Sequence, residues 1–322
     1  MKTIQIPGVE FPVSQFCLGC AYLGSRESEE LSFDLMDYYY EKGGRFLNTA
    51  HEYSEGASER TVGKWVKERG VRNEMIVTSK GGEDRRVPGA LAMHREDLLE
   101  DVDESLMRAG FDYFDFYLLH VDDVTVPVEE VVSTMEEIRK SGKIRYYGCS
   151  NWTVARQQEA AAFAKAHGMS GFKVDEVEMN VAKINRSNET CVSKWLDEEY
   201  IAHHKTSGMA VGAYSPIASG VLAKLAMDGN TDRWSTHAKG WYDLPYNHEV
   251  ARRLAKLSQE TGHTMVQLQL AYVLSQPYGF PNFAISGSAT MEQLVENMGA
   301  LEIDMTLDMI EFLHPQKFNV AQ

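Results

Sequence analysis

Phe46-Leu47-Asn48-Thr49-Ala50-His51-Glu52-Tyr53 reads as a buried strand, 45–49, that runs into a loop and ends on a tyrosine. The same form recurs along the chain. Met75-Ile-Val-Thr-Ser precedes Lys80, Phe116-Tyr-Leu-Leu precedes His120, and Tyr146-Tyr-Gly-Cys precedes Ser150-Asn151. Short apolar runs rich in β-branched and aromatic residues fit strands covered on both faces. A tyrosine, a lysine and a histidine delivered by separate strand ends make a proton-handling set.

Helical patterns lie between these runs. Ser28 precedes an apolar stripe of Leu31, Leu35, Met36 and Tyr39 that stops at Gly43-Gly44, and Leu98, Leu99, Val102 and Leu106 are spaced for burial. Strands are predicted at 15–18, 45–49, 75–79, 114–119, 145–149, 173–178, 209–214 and 282–286. Helices are predicted at 28–42, from 58, at 95–109, 127–141, 153–167, 188–206 and 248–260, with a helical turn at 264–275 and helices at 291–300 and 306–313. Short β-like pieces around Pro7-Gly8 predict a hairpin that covers the bottom of a barrel.

Eight β-then-α units without a break in composition predict an α/β fold. It is a (β/α)8 TIM barrel with an N-terminal β-hairpin and an extra C-terminal helix, one domain over 1–322. A doubly wound sheet would want a glycine-rich phosphate loop after the first strand, and G-x-G-x-x-G is absent. Barrel active sites sit at the C-terminal ends of the strands. Tyr53, Lys80, His120, Ser150, Asn151, Glu176, Tyr214 and Ser286 all fall there. Taken singly, such residues are ordinarily rim aromatics, solvated charges or satisfied polar groups; their shared placement is the argument.

With 43% apolar and 25% charged residues in 322, the composition suits a globular enzyme with a closed core. The formal charge of −15 comes without a basic run, which speaks against nucleic acid as a partner. No apolar run is long enough for a bilayer, and Met1-Lys-Thr-Ile-Gln-Ile lacks a signal-peptide core, so a cytoplasmic enzyme without a membrane partner is expected. The oligomeric state is not legible. Cys17-Leu-Gly-Cys20 has C-x-x-C spacing but opens no helix, and neither Cys149 nor Cys191 completes a zinc set, so no metal is expected.

Several motifs in this order resemble the aldo-keto reductase family, in a sugar-type, bacterial-like form. They are Asn48-Thr-Ala-x-x-Tyr53, Thr78-Ser-Lys80, Asp115-Phe-Tyr-Leu-Leu-His120, Gly142-Lys-Ile-Arg-Tyr-Tyr-Gly-Cys-Ser-Asn151, Tyr214-Ser-Pro216 and Gly287-x-x-x-Met-Glu-Gln-Leu-x-Glu-Asn297. The resemblance implies hydride exchange between NADP or NAD and a small polar carbonyl or alcohol. It implies Tyr53 as general acid or base, Lys80 beside it, and His120 orienting the carbonyl. A free phenol has a pKa of about 10, and a neighbouring ammonium brings it into range.

By the same resemblance Ser150, Asn151 and Glu176 would meet the nicotinamide carboxamide, Tyr214 with Ser215 would carry the ring, and the turn Ser286-Gly287-Ser288 with Gln293, Glu296 and Asn297 would take the adenosine side. Tyr22 and Trp152 are candidate substrate walls, as are Met179 and Trp195. His120-Val-Asp-Asp123 and Cys149-Ser-Asn-Trp152 resemble members with sugar-like substrates. The aromatic stretch after strand seven (Trp234, His237, Trp241, Tyr242, Tyr246) could fold over cofactor or substrate, or pack on the rim.

Three departures stand out. The family usually has Asp, paired with the lysine, where Asn48 stands, and Gln where Glu176 stands. Residues 286–297 contain no Lys or Arg to meet a 2′-phosphate. With Asn48, Lys80 is expected to lack its carboxylate, and Glu176 is expected beside the nicotinamide; both lean towards oxidation, with Tyr53 as base. Another nearby carboxylate, such as Glu52 or Glu55, is the alternative partner for Lys80. Two other classes remain open on these residues: a lyase or epimerase using Tyr53 and Lys80 beside a retained nicotinamide, which turns over no free cofactor, and a non-catalytic nucleotide-binding module, which has no need of Tyr53, Lys80 and His120 together.

Overall fold

The computed structural model describes residues 1–84, 90–185, 193–229, 231, 234 and 236–314. Eight parallel strands close into one barrel: β3 (Phe16–Gly19), β4 (Phe46–Asn48), β5 (Ile76–Gly81), β8 (Phe114–Leu119), β9 (Ile144–Ser150), β10 (Val174–Glu178), β11 (Ala210–Tyr214) and β12 (Asn282–Ser286). Each pairs with the next, and β12 pairs back onto β3 through Ser286 and Leu18. The antiparallel hairpin β1 (Thr3–Gln5) and β2 (Pro12–Ser14) precedes the barrel, and β6 (Glu83–Asp84) pairs with β7 (Ala90–Leu91) just beyond the end of β5.

Around the barrel run α1 (Glu29–Glu41), α2 (Ala57–Arg69), α3 (Arg95–Ala109), α4 (Val128–Lys140), α5 (Val154–Ala166), α6 (Glu198–Ser207), α7 (Val221–Asp228), α8 (Thr236–Tyr242), α9 (Pro245–Thr261), α10 (Met265–Leu274), α11 (Met291–Gly299) and α12 (Leu307–Leu313). The sixth helix starts later than expected within the described residues, and positions 188–192 of its expected span lie outside them. It begins at Glu198, where Asp197 accepts the backbone N–H groups of Glu199 and Tyr200 as N-cap, while Trp195 bridges to Glu178 in extended backbone. The expected turn at 264–275 is a full helix, α10, opened by a capping box between Thr264 and Gln267.

Strand alternation sorts the core into two parts. Phe16, Leu18, Leu47, Val77, Tyr117 and Leu119 face the helices, whereas Cys17, Phe46, Phe116, Leu118, Val174 and Phe283 fill the lumen. Ile6, Val9 and Val13 from the hairpin pack onto the lumen set, which is the bottom cover expected from sequence. Phe46 lies 5.0 Å from Phe283 and 5.9 Å from Phe116, ring centre to ring centre, forming a dry floor across the barrel. Two residues further along the same strand faces come Asn48 and Glu176, with Lys80 four residues beyond Ile76 on β5. Period two therefore delivers three polar side chains to one layer directly above an apolar floor.

Candidate active site

The loop after β4 keeps to its neighbour for several residues. Thr49 N–H donates to the Thr78 carbonyl and His51 N–H to the Lys80 carbonyl, both at 2.9 Å, before Tyr53 N–H closes a turn on Ala50. Arg108 of α3 braces this loop by donating to the His51 carbonyl at 2.8 Å, and it is held in turn by Glu59 and Glu104. Tyr53 is thus fixed by backbone bonding to the strand that carries Lys80. His120, immediately after β8, donates its N–H to the Gly81 carbonyl, and its ring meets Tyr53 edge-on at 5.5 Å.

Lys80 is 1% exposed. Its ammonium donates to Asn48 Oδ1 at 2.7 Å, to the Thr49 carbonyl at 3.0 Å and to the Tyr53 hydroxyl at 3.3 Å. Three acceptors match its three N–H bonds. Glu176 Oε2 stands 3.5 Å from the nitrogen, and Glu176 Oε1 accepts from Asn48 Nδ2 at 2.6 Å. The expectation that Lys80 lacks a carboxylate is therefore corrected: Glu176 supplies it from the opposite side of the lumen. Glu176, expected against a cofactor amide, is 2% exposed, and its carboxylate bonds to Asn48 and stands at ion-pair distance from Lys80.

The electrostatics follow from this burial. Burial alone would lower the Lys80 pKa, but Glu176 and the Tyr53 oxygen outweigh it and hold the lysine charged. Burial raises the Tyr53 pKa above 10, with Glu176 and Glu52 adding to the rise and Lys80 opposing it. Tyr53 keeps its proton at neutral pH. Burial, helped by Lys80, pushes His120 well below 6.5, so the ring is neutral. Its Nδ1 makes no hydrogen bond although Glu83 and Glu52 stand 3.5 and 3.6 Å away, and with a neutral ring these contacts are not ion pairs. Burial and then the bond to Glu52 lift Glu83 to about 8, so it is the protonated member of that pair. Ligand atoms of Glu52, Glu83 and His120 lie within 4.8 Å of one another.

The other expected residues divide. Asn151 Nδ2 donates to Ser150 Oγ and to the His120 carbonyl, and its Oδ1 accepts from the Tyr214 hydroxyl at 2.8 Å and from Lys194 N–H at 3.0 Å. Ser150, Asn151 and Tyr214 thus form one connected group beside His120. Asn297 ties down the turn by donating to Ser286 Oγ, the Gly287 carbonyl and Ser288 Oγ, while Gln293 accepts the Ala289 N–H. Asn297 is buried and Gln293 exposed, both bonded to that turn, and Glu296 is half-buried on α11. Among the described residues, every non-glycine with positive φ lies at this pole: Ser54, Glu55, Asn151, Ser215, Ala218 and Ser219. Strained backbone costs about 1–3 kcal/mol per residue and gathers where function holds it.

Trp152 is corrected as a substrate wall. It is 0% exposed, donates from Nε1 to the Val121 carbonyl and packs edge-on against Phe172, because the chain has already turned back towards the helices. Met179 is buried as well. Trp234, Tyr242 and Tyr246 join the main core, so that stretch packs on the rim, and the side chain of His237 lies outside the described residues. Tyr22 is 47% exposed with the Arg26 guanidinium 3.8 Å above its ring. Asp122 pairs with Arg156, and Asp123 accepts from Thr125, so the acids after His120 brace their own loop. Sequence reading missed Glu83, and its only signal was its place two residues past β5. Cys17, Cys20 and Cys149 are free, buried thiols, and Cys191 lies outside the described residues.

Glu83 gives a stability test. Its pKa lies above the ordinary 4.5, so the stability it contributes is complete below that value and lost as pH rises through about 8. Glu83→Gln cannot ionise. The thermal midpoint of E83Q relative to wild type is expected to rise between about pH 4.5 and about pH 8 and to level off above; a constant difference across that window contradicts the assignment.

The comparisons with known proteins agree with this geometry. Residues 15–314 match the sequence model of the Aldo/keto reductase family. The aryl-alcohol dehydrogenase [NADP(+)] of Phanerodontia chrysosporium is 26% identical over 96% of this chain and 83% of its own length. Norsolorinic acid reductase B of Dothistroma septosporum is 26% identical over 96% of this chain and 80% of its own length. A putative voltage-gated potassium channel subunit beta of Schizosaccharomyces pombe is 28% identical over 90% of this chain and 85% of its own length. The crystal structure of the thermostable aldo-keto reductase Tm1743 with the inhibitor epalrestat superposes with a TM-score of 0.75 at 24% identity, covering 97% of this chain and 98% of that one. The chain belongs to the aldo/keto reductase family and is an NAD(P)-dependent oxidoreductase of that type.

Proposed function

We propose that the protein reduces the carbonyl group of a small, hydroxyl-bearing, sugar-like molecule in the cytoplasm, with Tyr53 as the proton donor. The observation that carries this reading is the Tyr53 hydroxyl 3.3 Å from the buried Lys80 nitrogen and in edge-on ring contact with His120. The proton leaves Tyr53 for the oxygen that becomes the alcohol, and Lys80 stabilises the tyrosinate that remains. His120, being neutral, orients the carbonyl without competing as an acid. These roles favour reduction over the oxidation that an uncompensated lysine would suggest.

The pole fits a nicotinamide dinucleotide. Asn151 and Tyr214 are only half-buried beside His120, Tyr214 offers a ring face, and an added Cβ at Gly287 would meet only the backbone of Gly19, which leaves room over the 286–288 turn. When bound, the nicotinamide supplies the hydride. Support for a hydroxylated substrate comes from Glu52 and Glu83, whose carboxyl oxygens stand beside His120 Nδ1 and can accept from substrate hydroxyls. A second reading, an aryl aldehyde, rests on the exposed ring of Tyr22 and on the names of the relatives.

Tyr53→Phe is expected to lower kcat for carbonyl reduction by roughly 10²–10⁴ while leaving NADPH and NADH binding nearly unchanged; retention of activity within about tenfold overturns the reading. Glyceraldehyde should exceed benzaldehyde in kcat/KM, and the reverse order favours the aryl reading. Because residues 286–297 carry no cation, titration of nicotinamide fluorescence is expected to find NADH bound no more weakly than NADPH. A preference for NADPH of about tenfold or more, equal to about 1.4 kcal/mol, would place a cation for the 2′-phosphate elsewhere in the chain.

A further inference from the structure

Resting on the reading of Tyr53 as proton donor, we propose that Glu176 is a positioning residue: clamped by Asn48, its carboxylate is the charge partner of Lys80 and keeps the proton on Tyr53. Asn48 makes the link. Its Oδ1 takes the shortest of the ammonium's bonds, at 2.7 Å, and its Nδ2 gives one of 2.6 Å to Glu176. Rotating the amide would set Oδ1 against a carboxylate and Nδ2 against an ammonium, so the two charges fix its orientation and it fixes theirs. The negative charge thus enters from β10 and is passed to the lysine on β5 by a neutral residue on β4.

The barrel is shaped for this arrangement. Gly212 on β11 stands opposite Glu176 in the ladder, and a Cβ there would come within 2.8 Å of Glu176 Cγ and of the Phe283 ring. The absent side chain is the space the glutamate stem occupies. Below lies the phenylalanine floor, so neither charge has water on that side. Without that carboxylate the ammonium's field would fall undivided on the Tyr53 hydroxyl and favour its ionisation.

The charge balance separates this role from mere packing. With Tyr53 protonated, Lys80 and Glu176 sum to zero. When Tyr53 gives up its proton the cluster becomes −1 over the apolar floor, which favours return of the proton. Other groups facing the hydroxyl or its neighbours are Glu52 on the same loop, His120 after β8, Glu83 on β6 and the Cys17 thiol on β3. Of these Glu83, His120 and Cys17 are neutral at pH 7.

The test is the ultraviolet difference titration of the folded protein without added nucleotide. The tyrosinate band of wild type minus Tyr53→Phe isolates Tyr53, and the same pair is made on each variant background. Glu176→Gln is expected to lower the Tyr53 midpoint by about one pH unit. The exchange N48D/E176Q, which puts the carboxylate on the other side of the same lysine, should return the midpoint to within about 0.3 unit of wild type. An E176Q midpoint that is unchanged or raised overturns the proposal. If E176Q does not fold by circular dichroism, the double exchange decides: a wild-type midpoint supports the role, and a shifted midpoint or loss of fold there too overturns it. Tyr53→Phe that still reduces carbonyls sinks the reading beneath the proposal, whereas an inactive Tyr53→Phe with an unshifted E176Q sinks only the role of Glu176.

Discussion

The site depends on one buried ammonium. Lys80 sits over an apolar floor, and its charge is tolerable only because three acceptors take its three N–H bonds and one carboxylate stands at ion-pair distance. Removing one partner of such a buried pair ordinarily costs about 3–5 kcal/mol, much of it for leaving the other charge uncompensated. Tyr53 holds its proton in the presence of Glu176, and His120 is kept neutral by burial and by the same ammonium. A weak acid and a weak base are thereby both left uncharged beside one ammonium.

The fold supplies this environment by simple means. Strand alternation puts Phe46 and Asn48, and Val174 and Glu176, on the same faces, so the apolar floor and the polar layer are successive rungs of one ladder. The hairpin seals the barrel from below through Ile6, Val9 and Val13. Above the polar layer the loops take over, and their left-handed residues at Ser54, Glu55, Asn151, Ser215, Ala218 and Ser219 keep the rim in shapes an unstrained chain would leave.

Much of this was legible in sequence because short apolar strands and capped helices carry local signals. The spans of α3 and β8 and the strand-end placement of Tyr53, Lys80 and His120 follow from period and punctuation alone. What sequence could not reach was which side chains meet across the lumen. Asn48 and Glu176 lie 128 positions apart, and read separately each looks like a loss. Only the closed barrel makes them one clamp. Trp152 was misplaced for a related reason: a residue just past a strand end can turn towards the pocket or the helices, and its indole N–H found the Val121 carbonyl. The start of α6 was set by Asp197 as cap, which lies inside the helix expected over 188–206. Glu83 belongs to a short strand that no periodicity marks.

The most direct measurement of the central claim, a polar cluster organised by a buried ammonium, is the histidine titration by nuclear magnetic resonance, with His120→Gln used to assign the signal. The account predicts that His120 stays neutral well below the ordinary imidazole value of 6.5 in the folded protein. A His120 midpoint at or above 6.5 would contradict it, because a ring that charges so readily cannot lie buried beside a charged Lys80.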